Sequence, residues 1–308
     1  MLNETIQYTI LTEQYTSTVC EPSAAQRYQT GMLFEAELPR NCALIVGDAC
    51  RVLQNVPDAT FNCCITSPPY WGLRDYGIPN QIGAEERLDD YIDHLVKVFH
   101  EVRRTLHPDG TLWLNIGDSY TSGNRTWRDN DKKNPARAME YRAPTPDGLK
   151  PKDLIGVPWR LAFALQADGW YLRADVIWHK PNCQPESVKD RPTRSHEYIF
   201  LLAKSERYYY DHESVREQAN GNNHLRNRRS VWAINTEPFP EAHFATFPPA
   251  LVKPCLLAGS REGDHVLDPF FGSGTVGIVC KDLQRTFCGI ELKQEYADIA
   301  TKRLGWRG

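Results

Sequence analysis

No apolar run in this 308-residue chain approaches the roughly 20 residues needed to cross a bilayer, so no membrane association is expected. The N-terminus carries acidic and polar residues where a secretory leader has a basic stretch followed by an apolar one, so secretion is not expected either. The nine cysteines form no C-x-x-C pair. Their odd number and scattered spacing point to reduced thiols in a cytoplasmic protein and argue against a zinc site; no metal is expected. An excess of positive charge is also missing. Lys and Arg number 36 against 39 Asp and Glu, a net charge of −3. That balance argues against a uniformly basic nucleic-acid coat and still permits a local basic face. No internal repeat is visible.

What remains has the composition of an ordinary globular protein, with 41% hydrophobic and 24% charged residues. From Ala43 onward, short apolar runs alternate with amphipathic stretches. Strands are expected at 43–46, 62–66, 111–115, 171–178, 197–202, 265–267 and 286–290. Helices are expected at 88–106, 154–167, 248–257, 274–283 and 295–304. The first of these places Leu88, Tyr91, Ile92, Leu95, Val98, Phe99, Val102 and Leu106 on one face. This alternation predicts an α/β fold of seven strands, mostly parallel, with helices between them. Residues 1–38 are polar and irregular, and residues 39–308 form a single domain. Two polar stretches interrupt it, at 119–153 and 204–243. Irregular segments of that length in a compact domain are usually functional.

One hexapeptide carries most of the chemistry: Thr66-Ser67-Pro68-Pro69-Tyr70-Trp71. It follows an apolar run that fits a buried strand, and two prolines then end ladder pairing because neither has an N–H to donate. The chain leaves the sheet in a rigid turn that offers a hydroxyl at Ser67, a carbonyl at Pro68 and a ring at Tyr70. Those groups can hold a flat, amino-bearing ring. Trp71 is expected to pack the loop.

Near the C-terminus stands Asp268-Pro269-Phe270-Phe271-Gly272-Ser273-Gly274-Thr275, a strand ending in an acid, then a glycine turn, then a helix. Such loops lie at the carboxyl ends of parallel strands, where ligands bind. About twenty residues on, Glu291 ends the next strand, and a carboxylate there can accept both hydroxyls of a ribose. With Gly277 as third glycine the pattern also fits a dinucleotide site, or simply tight packing of helix on strand. Phe271 is expected in the core.

Taken together, Thr66–Trp71 and Asp268–Thr275 resemble the amino-group DNA methyltransferases that use S-adenosyl-L-methionine. The resemblance spans roughly residues 40–305. The catalytic motif comes first and the cofactor loop last, a circular order similar to the β class of that family. The resemblance implies a Rossmann-like methyltransferase fold with helices on both faces of the sheet. It implies Ser67, Pro68, Pro69 and Tyr70 as catalytic residues. It also implies Asp48, Thr246, Phe247, Asp268, Phe270, Gly272, Gly274 and Glu291 around the cofactor. Ser at the first motif position implies cytosine N4 as the methyl acceptor, with adenine N6 as the alternative. Residues 204–243 occupy the place of a target-recognition region. Arg226, Arg228 and Arg229 within it, and Lys180, Arg191 and Arg194 before it, are the expected DNA contacts. Double-stranded DNA is the expected partner. A homodimer and a companion restriction endonuclease are further partners that the family brings into view.

Overall fold

The computed structural model describes residues 8–12, 42–73, 81–121, 143–219, 224–237 and 247–306. Its elements run β1 (Tyr8–Thr12), β2 (Cys42–Val46), α1 (Ala49–Gln54), β3 (Phe61–Thr66), α2 (Leu88–Thr105), β4 (Leu106–Ile116), α3 (Val157–Ala167), β5 (Tyr171–His179) and β6 (His196–Ala203). A small hairpin, β7 (Glu217–Gln218) and β8 (Leu225–Arg226), is followed by β9 (Val231–Ala233), α4 (Pro249–Gly259), β10 (His265–Asp268), α5 (Thr275–Asp282), β11 (Thr286–Glu291) and α6 (Gln294–Arg303).

The large sheet has nine strands in the order β1-β2-β11-β10-β3-β4-β6-β5-β9. Every neighbouring pair is parallel except those made by β6, which runs antiparallel to both β4 and β5. Side chains alternate between two cores, one on each face. Ala43, Ile45, Cys64, Leu267 and Ile290 pack with α1, α2 and α3. Leu44, Cys63, Val266 and Phe287 pack with α4, α5 and α6. A strand covered on both faces is apolar throughout its buried length, as β2 (Cys-Ala-Leu-Ile-Val) shows. Cys63 and Cys64 fall on opposite faces, and the eight described cysteines are free thiols.

The helix α2 shows why its sequence folds as it does. Its apolar stripe is buried from Leu88 to Thr105, with Asp89 and Asp90 in the first turn and Arg103 and Arg104 in the last. Those charges suit the two ends of the helix dipole. The chain then passes straight into β4, an 11-residue strand that takes in Pro108 and Gly110. The sequence pattern places the strand only at 111–115.

The sheet exceeds the expected seven strands at its edges. β1 pairs with β2 from within residues 1–38, expected to be irregular, and β9, three residues long, pairs with β5 inside the second irregular segment. A strand of three residues carries too few positions to establish a period of two.

The order reverses between β10 and β3. From β10 the chain crosses by α5 to β11 on one side, and from β3 it crosses by α2 to β4 on the other. A crevice at the carboxyl ends of the strands follows from that reversal, and it is where α/β sheets bind ligands. The packing behind it is tight. A Cβ at Gly277 would lie 2.7 Å from the Phe271 ring, and one at Gly289 would overlap the same ring. We expect Gly289→Ala to cost about 1–3 kcal/mol of stability in urea unfolding, because overpacking a filled core forces neighbours off their rotamers.

Candidate active site

The hexapeptide turn leaves β3 at this crevice, and several elements hold it. The Tyr91 hydroxyl, from the buried face of α2, donates to the Pro69 carbonyl at 2.8 Å. Trp71 is buried, and its Nε1 donates to the Glu85 carbonyl at 2.9 Å. The Gly72 amide donates to the Gly83 carbonyl at 2.8 Å. The turn therefore enters the site already fixed on its outer side, with Ser67 half-buried and Pro68 buried.

Tyr70 is anchored at its far end. Its hydroxyl donates to Glu197 Oε2 at 2.9 Å, and Asn115 Nδ2 donates to the same oxygen at 3.3 Å. Lys180 Nζ donates to the other carboxylate oxygen and lies 4.1 Å above the Trp178 ring. Burial, reinforced by Glu197, holds the Tyr70 phenol well above its ordinary range, so it keeps its proton. Gly117, just past β4, makes room for the ring: a Cβ there would lie 2.7 Å from Tyr70 Cε2.

The cofactor-loop residues gather on the other side of the crevice. Thr66, the last residue of β3, donates to Asp268 Oδ1 at 2.6 Å, and the Phe270 amide donates to the same oxygen at 3.1 Å. Phe270 is half-buried, edge-on to Phe99. The turn reverses through Gly272 and Gly274, both with positive φ (52° and 80°), a backbone that only glycine adopts freely. Glu291 accepts from the Gly272 amide at 2.8 Å and from the Lys293 amide at 2.9 Å. Arg303 reaches from α6 to the Ser273 carbonyl at 2.7 Å and braces the loop from behind. Burial raises both carboxyls to about 7, from ordinary values of 3.8 for Asp268 and 4.5 for Glu291.

Asp48, at the end of β2, is half-buried and caps α1 by accepting from the Arg51 amide at 3.0 Å. Phe247 is half-buried just before α4, and Thr246 lies outside the described residues. Phe271 is in the core, stacked on Phe287.

The basic residues occupy varied surroundings. Arg226 is paired with Glu217 across the β7–β8 hairpin at 2.9 Å. Arg228 lies 4.6 Å above the Trp232 ring, and Arg229 is exposed. Arg226, Arg229, Glu217, Ser230 and Val231 line an open depression of about 730 Å³. Arg191 pairs with Glu186 at 2.6 Å and stacks 3.8 Å from the Tyr120 ring. Arg194 is largely buried, 3.9 Å from Asp118. Lys180 faces inward to Glu197, not outward. Among the described residues no group of three metal-binding side chains occurs, and no helix is long and apolar enough to cross a membrane.

Glu197, Asn115, Tyr91 and Gly117 escape a sequence reading. Only Glu197 leaves a trace there, as a charge at the start of the otherwise apolar β6.

The N6/N4 methyltransferase family model, described as DNA methylase, matches residues 61–302. The chain belongs to this family of amino-DNA methyltransferases. Its cofactor is S-adenosyl-L-methionine and its substrate is DNA. The Type II methyltransferase M.SmaI of Serratia marcescens is 65% identical over 277 residues, 90% of this chain and 94% of that one. M.Cfr9I of Citrobacter freundii is 63% identical over 261 residues, 85% and 87% of the two chains. A DNA modification methylase of Thermus thermophilus, TTHA0409, solved in complex with S-adenosyl-L-methionine, superimposes with a TM-score of 0.61 at 27% identity, covering 86% of this chain and 93% of that one. The PvuII cytosine-N4-specific DNA methyltransferase shares the fold, with a TM-score of 0.63 at 21% identity over 84% and 85% of the chains.

The crevice suits this cofactor. Two buried carboxyls and an open glycine turn offer acceptors to hydroxyls and a negative field to a cation. The carboxyls also set a pH dependence. Acids raised in the fold bind protons more tightly there than in the unfolded chain. The stability they add is present below about pH 4 and is lost as pH rises through about 7. A cationic ligand favours the ionised forms. Affinity for S-adenosyl-L-methionine, measured by calorimetry, should therefore rise several-fold between about pH 6 and about pH 8. Glu291→Gln should flatten that rise.

Proposed function

We propose that this methyltransferase modifies the N4 amino group of cytosine in duplex DNA at a specific sequence. The observation that carries this reading is the Ser67-Pro68-Pro69-Tyr70 turn, braced at Tyr91 and Glu197 and tied by Thr66 to the cofactor loop at Asp268.

An exocyclic amino nitrogen is a poor nucleophile because its lone pair is delocalised into the ring. The Pro68 carbonyl and the Ser67 oxygen, accepting its two hydrogens, draw those hydrogens out of conjugation and leave the lone pair available. S-Adenosyl-L-methionine supplies a methyl already activated on sulfur. The protein mainly aligns the reactants, and alignment alone lowers a barrier by several kcal/mol. No strong base is needed before attack, since a proton can leave after the nitrogen becomes cationic. In this reading Asp268, Phe270, Gly272 and Gly274 line the cofactor, Glu291 takes the ribose, Asp48 serves the adenine side, and Phe247 the methionine end.

A paired base is out of reach, so the target nucleotide must be flipped, at a cost of a few kcal/mol. Stacking on Tyr70 offsets about 1–3 kcal/mol of that. Residues 204–243 serve as the target-recognition region, with Arg226, Arg228 and Arg229 on phosphates or guanine edges. The Type II names of the relatives support a companion endonuclease of the same sequence specificity.

Mass analysis of nucleosides from DNA treated with the protein tests the base. N4-methylcytosine is expected, and N6-methyladenine alone would refute the assignment. Replacing the three arginines with alanine should weaken DNA binding and lower its salt slope by about 1 for each phosphate no longer neutralised. An unchanged slope and affinity would remove them from the interface.

A further inference from the structure

Two restraints hold the Tyr70 ring, and they act on different torsions. Its hydroxyl donates to Glu197 Oε2 at 2.9 Å, which fixes where the long axis of the ring points. That axis passes through the hydroxyl oxygen, so the bond alone leaves the ring free to turn about it. Gly117 removes the second freedom. It packs so closely on one edge of the ring that a Cβ there would lie 2.7 Å from Tyr70 Cε2 and 3.3 Å from Glu197 Cδ. The protein by itself therefore sets both the direction and the plane of the ring.

Glu197 is fixed in turn. Trp178 pairs with Glu197 and His179 with His196 across β5 and β6, which brings Lys180, one residue past β5, beside the carboxylate. Lys180 Nζ donates to Oε1. Asn115 Nδ2 donates to Oε2 at 3.3 Å and to the Tyr198 carbonyl at 3.1 Å. The Lys180 and Glu197 side chains are only 17% and 18% exposed. A largely buried carboxylate needs a charged partner, and Lys180 is that partner. Its charge faces inward, away from any DNA phosphate.

We infer that Glu197, held by Lys180 and Asn115, is a positioning residue that orients the Tyr70 ring for stacking on the extruded base, with Gly117 as the notch that admits the ring. The inference rests on the Ser67–Tyr70 turn being the base pocket. A ring that must first be ordered weakens binding by about two- to tenfold, the usual cost of immobilising one side chain at an interface. Here the ordering is complete on folding. The arrangement also explains a tyrosine at this position: the ring supplies the stacking face, and the hydroxyl supplies the handle by which Glu197 holds it.

The test compares two DNA duplexes that differ only at the target position, which carries cytosine in one and an abasic site in the other. The opposite strand is abasic there in both, so the cytosine is unpaired. Affinities are measured by fluorescence anisotropy with S-adenosyl-L-homocysteine present, and their ratio reports what the base gains in the pocket. The wild-type protein should favour the cytosine duplex by about fivefold or more. Lys180→Met with Glu197→Met, which removes both charges together and leaves neither unpaired, should reduce that ratio by about two- to tenfold. Its affinity for the abasic duplex should not change. Methyl transfer should show a lower kcat with an unchanged KM for S-adenosyl-L-methionine. Tyr70→Phe keeps the ring and should reproduce the loss, and in that background the double substitution should add nothing. Gly117→Ala should lower the ratio as well.

Tyr70→Phe and Gly117→Ala decide the matter if the double variant does not fold. A folded variant with the wild-type ratio would overturn the inference, as would a loss of equal size on the abasic duplex or a further loss in the Tyr70→Phe background. A wild-type protein that binds both duplexes alike would overturn it too. Wild-type methyl transfer to the cytosine duplex, measured in parallel, separates these failures from failure of the base pocket itself. Should adenine prove to be the substrate, adenine takes the place of cytosine in the duplex.

Discussion

The hydrogen bond from Thr66 to Asp268 joins residues 202 apart in the chain and ties together the two halves of the crevice. Thr66 ends the strand that leads into the proline turn, and Asp268 ends the strand that leads into the glycine turn. The strands are neighbours only because the sheet reverses its order between them. The proposed reaction needs a base on one side and a methyl donor on the other, and that reversal provides two loops facing one crevice. The circular order of the motifs along the chain does not matter to this geometry. What matters is that β3 and β10 are adjacent and parallel, so that both loops emerge at the same end.

Around that tie, rigidity comes from buried polar contacts. The turn on the base side has no regular secondary structure, yet Tyr91, Glu85 and Gly83 hold its outer edge while Glu197 and Asn115 hold Tyr70. On the cofactor side, Glu291 and Arg303 brace the glycine loop. Each of these contacts lies in a poorly solvated place, where a satisfied hydrogen bond is strong and a missing one is costly. Raised carboxyls at Asp268 and Glu291 are the cost of keeping acceptors ready in such a place. A cationic ligand relieves it.

The parallel α/β core was legible in the sequence because both faces of its strands are covered, which leaves continuous apolar runs between amphipathic helices. The turns at Ser67–Tyr70 and Asp268–Gly274 were legible because prolines and glycines dictate local geometry. β9 was not, since three residues carry no period, and β1 was not, since its five strand-forming residues stand alone in a polar stretch. α1 was missed because its six residues lie between two strands with only the Asp48 cap to announce it. Glu197 and Lys180 were harder still. Their meeting depends on β5 and β6 pairing antiparallel, a fact of register that no local pattern contains. Lys180 consequently looked like a phosphate contact by sequence position, although its side chain turns toward Glu197. Arg226 likewise looked free beside Arg228 and Arg229, while its partner Glu217 lies across a hairpin of two-residue strands.

The most direct measurement is a crystal structure of the protein with duplex DNA containing its target sequence and S-adenosyl-L-homocysteine. An extruded cytosine is expected, stacked on Tyr70, with N4 within hydrogen-bonding distance of Ser67 Oγ and the Pro68 carbonyl, and with the cofactor product against Asp268 and Glu291. A target base left in the helical stack, or one extruded with its amino group turned away from Ser67 and Pro68, would contradict it.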